Sequence, residues 1–153
     1  PTVTVTTADG AVLKKDRDYA LKYSSSARKY VGLYTITIVG KGSYTGTAEV
    51  KFAIKPGTTS ISSRTAYKGG LKMKWSKKTA QRTGYQFIYG KDKKFAAGSY
   101  KSHRTTSCSK TYYKKSSGLD RKTYYYGKVR CYKKTDGMRI YSSWSSYKSV
   151  KTK

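Results

Sequence analysis

The sequence predicts an all-β chain that forms two small β-sandwich modules in tandem. Apolar and polar residues alternate in short stretches, which is the period of a half-buried strand. Turn signals separate these stretches at regular intervals, as in a sandwich of about seven strands. No helical period appears in the first 55 residues.

The first module covers residues 1 to about 55. Thr and Val alternate over residues 2–7, and Asp9-Gly10 predicts a hairpin turn before a short strand at residues 11–13. Three further strands are predicted from residues that share one face: Tyr19, Leu21 and Tyr23; Tyr34, Ile36 and Ile38; Ala48, Val50, Phe52 and Ile54.

Turn-forming residues separate these strands. Ser24-Ser25-Ser26 interrupts one of them, and residues 40–46, with three glycines, predict a hairpin. A phosphate-binding glycine loop would instead open a helix, whereas this segment leads into another strand. Pro56-Gly57 closes the module, and we expect residues 56–57 to be the linker.

The pattern restarts in a second module over residues 58–153. Its predicted inward faces are Leu71, Met73 and Trp75, then Tyr85, Phe87 and Tyr89. Weaker strands are expected near residues 100–104 and 108–113. Asp136-Gly137 predicts a hairpin, and the register of the last strand, within residues 144–153, stays open.

Residues 119–132 are the best-patterned stretch of the second module. Alternation places one set of residues inward, namely Tyr125, Gly127, Val129 and Cys131, and the other set outward, namely Tyr126, Lys128, Arg130 and Tyr132. A leucine six residues before the tyrosine that opens such a strand, here Leu119 before Tyr125, predicts a tyrosine corner, in which the hydroxyl bonds to backbone at the turn.

Four motifs follow one another in the first module: Val3-Thr4-Val5, Asp18-Tyr19, residues 32–38 and residues 40–46. In this order they resemble the bacterial immunoglobulin-like repeat of Gram-positive surface and secreted proteins. That family carries one more strand ahead of these motifs. The resemblance therefore implies an immunoglobulin-like module that begins inside a domain and presents an unpaired strand edge.

The second module resembles a fibronectin type III domain. The motifs that carry this resemblance are Leu71–Trp75 with its core Trp75, residues 83–87, Leu119 with Tyr125, and Trp144-Ser145 before the last strand. Gly127 stands where the family usually has an aliphatic residue, and Cys131 where it often has Ala. We expect tyrosine rings to fill the gap at Gly127.

The charge is strongly unbalanced. Lys and Arg number 34 against 7 Asp and Glu, so 27 cations would lack a protein partner even if every acid were paired. Counterions or a polyanion must balance them, and the polyanion could be nucleic acid, an anionic polysaccharide or wall polymer, or a membrane surface. No apolar run reaches the length of about 18 residues that spans a membrane.

Few residues could support catalysis or metal binding. His103 is the only histidine, and its polar surroundings predict a solvated side chain. A histidine metal site, a catalytic triad and a paired-carboxylate glycosidase site are therefore not expected. The acids Asp9, Asp16, Asp18, Asp92 and Asp136 are predicted to form turns. We expect no enzyme activity and no cofactor.

Cys108 and Cys131 are the candidate disulfide. A bridge would close a loop of about 20 residues and stabilise the fold by roughly 3 kcal/mol. Two reduced, buried thiols are the alternative, and the spacing of the two cysteines is not that of a redox-active pair.

Cations interleaved with tyrosines around residues 110–141 are the candidate functional surface. The candidate polyanion contacts are Lys114, Lys115, Arg121, Lys122, Lys128, Arg130, Lys133, Lys134 and Arg139, and the candidate stacking residues are Tyr126 and Tyr132. Basic and aromatic residues together suit an anionic wall polymer or glycan, and also single-stranded nucleic acid. The remaining interpretation is that these cations solvate the outer faces of strands and discourage edge pairing.

Taken as resemblances, the two modules imply a place in the parent protein. Such modules stand in tandem outside the catalytic part of secreted wall hydrolases, proteases and adhesins of Gram-positive bacteria. We therefore expect a secreted or surface-exposed accessory region, cut from a longer protein, that acts as a spacer beside other modules. Anionic cell-wall polymer or glycan is its hypothetical partner, with nucleic acid as the alternative.

Overall fold

A computed structural model describes residues 1–25 and 29–153 of the chain. It is all-β, as predicted, with antiparallel sheets in two compact units, Pro1–Ile54 and Lys55–Lys153. No helix that could cross a membrane occurs in the described residues. Residues 55–57 belong to the second unit, where the Arg82 guanidinium donates to the Gly57 carbonyl at 3.0 Å.

The first unit is a three-stranded sheet in the order β1-β2-β3, with β1 at Tyr19–Tyr23, β2 at Gly32–Gly40 and β3 at Thr47–Ile54. Tyr19 and Ile36 are its buried apolar residues. Val50 was expected inward but is 46% exposed, because it lies on the edge strand β3. Ser26 of the predicted serine break lies outside the described residues.

The residues before β1 form less regular structure than expected. The predicted strands at residues 2–7 and 11–13 reduce to one bridge between Thr6 and Val12, around a turn at Asp9-Gly10. Between β2 and β3 the predicted hairpin is confirmed, with the Gly40 amide donating to the Gly46 carbonyl at 3.0 Å.

Asp18 is the anchor of the turn before β1. Its buried carboxylate accepts from the Lys14 amide at 2.8 Å and from the Arg17 guanidinium at 2.7 and 2.9 Å. The hydrogen bond from Arg17, followed by the one from Lys14, lowers the pKa of Asp18 from 3.8 to about 2. Asp18 therefore forms a turn, as the sequence predicted.

The second unit contains two packed sheets. One has the order β4-β5-β8, from β4 at Ile61–Tyr67, β5 at Gly70–Trp75 and β8 at Tyr112–Lys115. The other has the order β10-β9-β6-β7, from β6 at Gly84–Gly90, β7 at Tyr100–Arg104, β9 at Tyr124–Thr135 and β10 at Met138–Tyr141. A further strand, β11 at Lys148–Lys151, also pairs with β9.

Two strand predictions in this unit need correction. Strand β4 was missed, since its sequence is mostly polar. Strand β8 begins at Tyr112 rather than near Cys108, because residues 106–109 form a turn. The predicted hairpin at Asp136-Gly137 is confirmed; both residues have positive φ, 46° and 75°, which a tight hairpin turn of this kind requires.

The predicted inward alternation of the second unit is confirmed. Its core comprises Leu71, Met73, Trp75, Tyr85, Phe87, Tyr89, Tyr125, Val129 and Cys131, with Ile61 from β4. The rings of Trp75 and Phe87 stack with centroids 5.5 Å apart. The gap at Gly127 is filled by Met73 and Phe87 rather than by tyrosine: a β-carbon there would lie 2.5 Å from Met73 Sδ and 2.9 Å from the Phe87 ring.

The tyrosine corner is also present. The Asp120 amide donates to the Tyr125 hydroxyl at 3.2 Å, and Leu119 packs against the core. The same turn holds the end of the chain, because the buried Thr152 hydroxyl donates to the Asp120 carbonyl at 2.6 Å.

The last strand has a defined register in the structure. Val150 lies opposite Tyr125 in β9, and Tyr147 precedes the strand. The Lys153 amide donates to the Tyr67 carbonyl at 2.9 Å, and the Gly69 amide donates to the Lys153 carbonyl at 3.0 Å. The end of the chain therefore runs alongside the end of β4, in the same direction.

Gly127→Ala should destabilise the second unit by about 1–3 kcal/mol, because the added methyl overlaps Met73 and Phe87. Urea unfolding followed by the fluorescence of the buried Trp75 would measure the loss. Met73→Val beside it should recover part of the stability, so the double variant should be less destabilised than the sum of the two single variants. Strict additivity would contradict this packing.

The depressed pKa of Asp18 predicts an acid-sensitive first unit. Below about pH 4 the unfolded chain binds a proton at this residue before the folded chain does, so its contribution to stability is complete above that pH and lost towards about pH 2. Asp18→Asn should flatten the pH dependence of unfolding in this window, measured by the NMR signal of the Ile36 amide in urea. Asp16→Asn, which removes an exposed carboxylate from the same turn, should leave the dependence intact.

Candidate polyanion-binding surface

The positive charge is concentrated in the second unit. Residues 55–153 contain 26 Lys and Arg against 3 Asp and no Glu, whereas residues 1–54 contain 8 Lys and Arg against 4 acids. Counterions or a polyanionic partner must therefore balance the second unit above all.

The three acids of this unit are all engaged locally. Asp92 accepts from the Lys94 and Ala96 amides at 2.8 and 3.0 Å, and these hydrogen bonds hold the pKa of its carboxyl below the usual range. Asp120 pairs with Lys91, and the Asp136 carboxylate accepts from the Thr135 hydroxyl at 3.2 Å. The acids thus organise turns and leave most cations of the unit without a carboxylate.

Strand register brings cations and rings together on the outer face of the β10-β9-β6-β7 sheet. Arg130 lies opposite Gln86, and Lys128 lies opposite Ile88, so the four side chains share that face. Ile88 is only 2% exposed although it lies on this outer face. We call the following group the cation–aromatic face: Phe95, Lys128, Arg130, Tyr141 and Trp144.

The five side chains of the cation–aromatic face form one continuous stack. Lys128 Nζ lies 4.4 Å from the Phe95 ring centroid and 5.2 Å from that of Trp144. Arg130 Cζ lies 4.3 Å from the Trp144 centroid and 3.8 Å from that of Tyr141. Each cation therefore lies over two rings, at distances where their quadrupoles attract it.

Hydrogen bonding fixes the orientation of Arg130 within the stack. Its Nε donates to Gln86 Oε1 at 2.9 Å, and Gln86 Nε2 donates to the Ser102 hydroxyl at 3.0 Å. Burial lowers the pKa of the Arg130 guanidinium, but an arginine remains charged in proteins. The guanidinium is thus a fixed positive charge at the centre of the sheet.

Two serines hold Trp144 beside β9. The Ser142 and Ser145 amides donate to the Cys131 and Val129 carbonyls at 3.0 and 2.8 Å. The hydroxyls of the same serines accept from the Cys131 and Val129 amides at 3.0 and 3.1 Å. Side-chain oxygens thus replace backbone carbonyls along this edge, and the ring of Trp144 is positioned over β9.

The nine predicted cation contacts do not form one cluster. Lys128, Arg130, Lys134 and Arg139 project from the outer side of β9 and β10. The other five lie elsewhere: Lys114 on the outer face of the β4-β5-β8 sheet, Lys115 at the end of β8, Arg121 and Lys122 in the turn before β9, and Lys133 on the opposite side of β9.

The two predicted stacking residues have different environments. Tyr126 is half-buried, and its ring meets that of Tyr147 edge-on at 5.5 Å. Tyr132 was expected to be exposed but is 2% exposed, and its hydroxyl donates to the Thr105 carbonyl at 2.7 Å. It lies opposite Gly84, which has no side chain to occupy that space. Tyr132 is therefore excluded as a stacking platform.

Sequence reasoning missed Phe95 and gave Trp144 no role in the surface. The available signal was the pair Lys128 and Arg130, two residues apart on the outward side of one strand, followed by Tyr141 and Trp144 with a serine after each ring. Phe95 gave no comparable signal, because it comes from a turn distant in sequence.

Both candidate cysteines are free thiols in the structure, so the predicted disulfide is not present in it. Cys131 is fully buried, and the half-buried Cys108 packs against the same core. Burial raises the pKa of both thiols, which lowers their reactivity at neutral pH. The bridge stays a prediction.

His103 is half-buried, contrary to the expectation of a solvated side chain. It lies opposite Phe87 and so faces inward, where its ring packs 5.1 Å from that of Tyr113. Burial lowers the pKa of its imidazole, which favours the neutral form. Among residues 1–25 and 29–153, no three His, Cys, Asp or Glu side chains group closely enough to hold a metal ion.

No protein-family model and no curated protein sequence matches the chain. Among solved structures, the FN1–FN3 domains of chicken CNTN1 match with a TM-score of 0.50 at 17% identity, over 84% of this chain and 44% of that chain. This chain thus spans less than half the length of that one. A DUF3823 family protein from Bacteroides uniformis matches with a TM-score of 0.47 at 10% identity, over 82% of this chain and 76% of that one.

The likeness to the FN1–FN3 domains shows the fold, an FN3-like and immunoglobulin-like β-sandwich. This agrees with the two packed sheets and the tyrosine corner of the second unit. At 17% identity the likeness carries the fold alone.

The stack predicts energetic coupling between Arg130 and Trp144. A double-mutant cycle with Arg130→Gln and Trp144→Leu should give a coupling of about 0.5–2 kcal/mol, because the pair is partly desolvated. Urea unfolding followed by circular dichroism would measure it. The cycle at Lys114 and Tyr67, an exposed cation over a ring at 5.2 Å, should give a smaller value. Equal coupling in the two cycles would contradict the role assigned to the stack.

Proposed function

We propose that the chain is a non-catalytic accessory region of a secreted or surface-exposed protein of a Gram-positive bacterium. It acts as a spacer and holds its parent protein at an anionic wall polymer or glycan. The FN3-like fold supports the first part, since domains of this fold are typically non-catalytic and commonly extracellular. The resemblance of both modules to bacterial accessory repeats supports the location.

The observation that carries the adhesion proposal is the acid-free outer side of the β10-β9-β6-β7 sheet. Arg104, Lys128, Arg130, Lys134 and Arg139 project from it, and no carboxylate occupies a strand position on this side. A polymer with repeated phosphates or carboxylates would release counterions from this surface, and from itself, on binding. Affinity should therefore fall steeply with salt.

Nucleic acid is the second candidate, favoured by the combination of cations and rings. The stack weakens this alternative, because stacking on bases needs free ring faces. Lys128 lies over the rings of Phe95 and Trp144, and Arg130 lies over those of Tyr141 and Trp144. The protein's own cations therefore occupy these ring faces. Tyr132 is buried as well. An ionic interaction with a polymer backbone fits these contacts better than base stacking.

A salt titration of binding to purified anionic wall polymer, with single-stranded and double-stranded DNA alongside, tests the proposal. We expect tighter binding to wall polymer at physiological salt. Equal binding to all three polymers that disappears with salt would mean that the chain attracts polyanions only through its net charge. The chain would then be a spacer. A preference for DNA that survives high salt would favour the nucleic-acid alternative.

Charge reversal tests whether the polymer binds at the outer side of the β10-β9-β6-β7 sheet. Arg104→Glu with Lys134→Glu changes two exposed cations on the proposed side without touching the stack. It should reduce the slope of log affinity against log salt by about 1–2. The matched control is Lys74→Glu with Lys114→Glu, which makes the same change of charge on the other sheet. Equal losses in the two double variants would refute a localised surface.

A further inference from the structure

Strand β3 is an open edge of the sheet in the first unit. It pairs with β2 along its whole length without a register shift, and within the described residues no strand pairs with its other side. The strand contains no proline, and residues 47–51 are all exposed. Bulges and prolines commonly protect edge strands, and β3 has neither. Its outer amides and carbonyls can therefore pair with another strand.

The opposite edge of the same sheet is less open. Strand β1 has five residues, whereas β3 has eight. The Asp16 amide donates to the Tyr19 carbonyl at 2.7 Å, and Lys15 forms a parallel bridge with Tyr19. The turn before β1 thus occupies the start of that edge, and β3 is the longer and more accessible of the two.

Two opposite charges flank an apolar residue in the middle of β3. Glu49 and Lys51 lie on one face of the sheet, and Val50 lies on the other face, where it is 46% exposed. Glu49 is the only glutamate of the chain. None of the ion pairs among the described residues involves Glu49 or Lys51. Both charges are therefore available to a partner strand.

A second copy of β3 complements this pattern when the two strands run antiparallel with Val50 opposite its own counterpart. Each Glu49 then faces the Lys51 of the other copy, so one register produces two contacts between opposite charges. Ala48 faces Phe52 in the same register, which places a small side chain beside a large one. Seven of the eight residues of β3 are paired in this way.

The neighbouring symmetric registers are less favourable. A shift of the two-fold axis by one residue places Glu49 opposite Glu49 or Lys51 opposite Lys51, and like charges directly opposite each other destabilise a strand pair. A lysine on an edge strand usually discourages pairing. In the register centred on Val50, however, the ammonium group meets a carboxylate. The sequence of β3 thus favours one register over its neighbours.

We propose that two copies of the chain associate through β3, joining their three-stranded sheets into one sheet of six strands. The first unit suits such a contact because it contains 8 Lys and Arg against 4 acids, so repulsion between copies is weaker there than between two second units. Pairing satisfies the outer backbone groups of both edges and brings the exposed Val50 side chains together. The inference does not rest on polymer binding by the second unit.

Sedimentation velocity of the full chain at increasing concentration tests the proposal, and we expect a monomer–dimer equilibrium. Lys51→Glu should raise the dissociation constant at least about tenfold, because Glu49 then faces a carboxylate at both contacts. This variant also lowers the net positive charge, so general repulsion between copies would predict tighter association instead. The control Lys22→Glu makes the same charge change on β1 and should not weaken the dimer. A chain that stays monomeric, or equal effects of both variants, would overturn the proposal.

A mixture of two variants tests the register. Glu49→Lys and Lys51→Glu should each associate weakly alone, but together they should form a heterodimer, because every contact between charges then joins a lysine to a glutamate. A fluorescent label on one variant, followed by sedimentation, would detect it. The double variant Glu49→Lys with Lys51→Glu should dimerise about as well as the original chain. Failure of both the mixture and the double variant to associate would refute the register, whereas restored association would also show that the single variants fold.

Discussion

The alternation of strand β9 is the constraint on which the second unit depends. Tyr125, Val129 and Cys131 on one side enter the core, while Lys128 and Arg130 on the other side meet a layer of rings. The strand pairs with β6 along one side and with β10 and β11 along the other, so three strands of the sheet take their positions from it. A slip of one residue in the register of β9 would turn its charged side chains towards the core and its core side chains towards the outer side.

The rings on the outer side help the sheet to tolerate its charge. Repulsion among many like charges opposes a compact state. Lys128 and Arg130 lie near the middle of the sheet, where each is attracted to two rings and Arg130 also bonds Gln86. The exposed cations at the ends, such as Lys134, remain surrounded by water and are the ones that a mobile anion reaches first.

The local sequence pattern predicted the all-β fold class, the inward residues of the second unit and the tyrosine corner. These features follow from the alternation of apolar and polar residues along a strand and from residue spacing within one segment. Tyr132 was misplaced, since its burial depends on Gly84 in another strand. The filling of the space at Gly127 by Met73 and Phe87 and the contribution of Phe95 to the stack likewise require contacts between distant segments. The split of the nine cations among several faces follows from topology, which sequence proximity does not reveal.

The hydrogen bonds at the end of the chain give the second unit a mechanical property. Lys153 bonds to Tyr67 and Gly69, and Arg64 donates to the Ser149 carbonyl at 3.2 Å, so the last strand lies alongside β4 and runs in the same direction. The unit begins before β4 and ends after β11, so tension between its ends pulls these two strands along their length in opposite directions. The load then falls on several bonds in shear at once, instead of peeling them apart one after another.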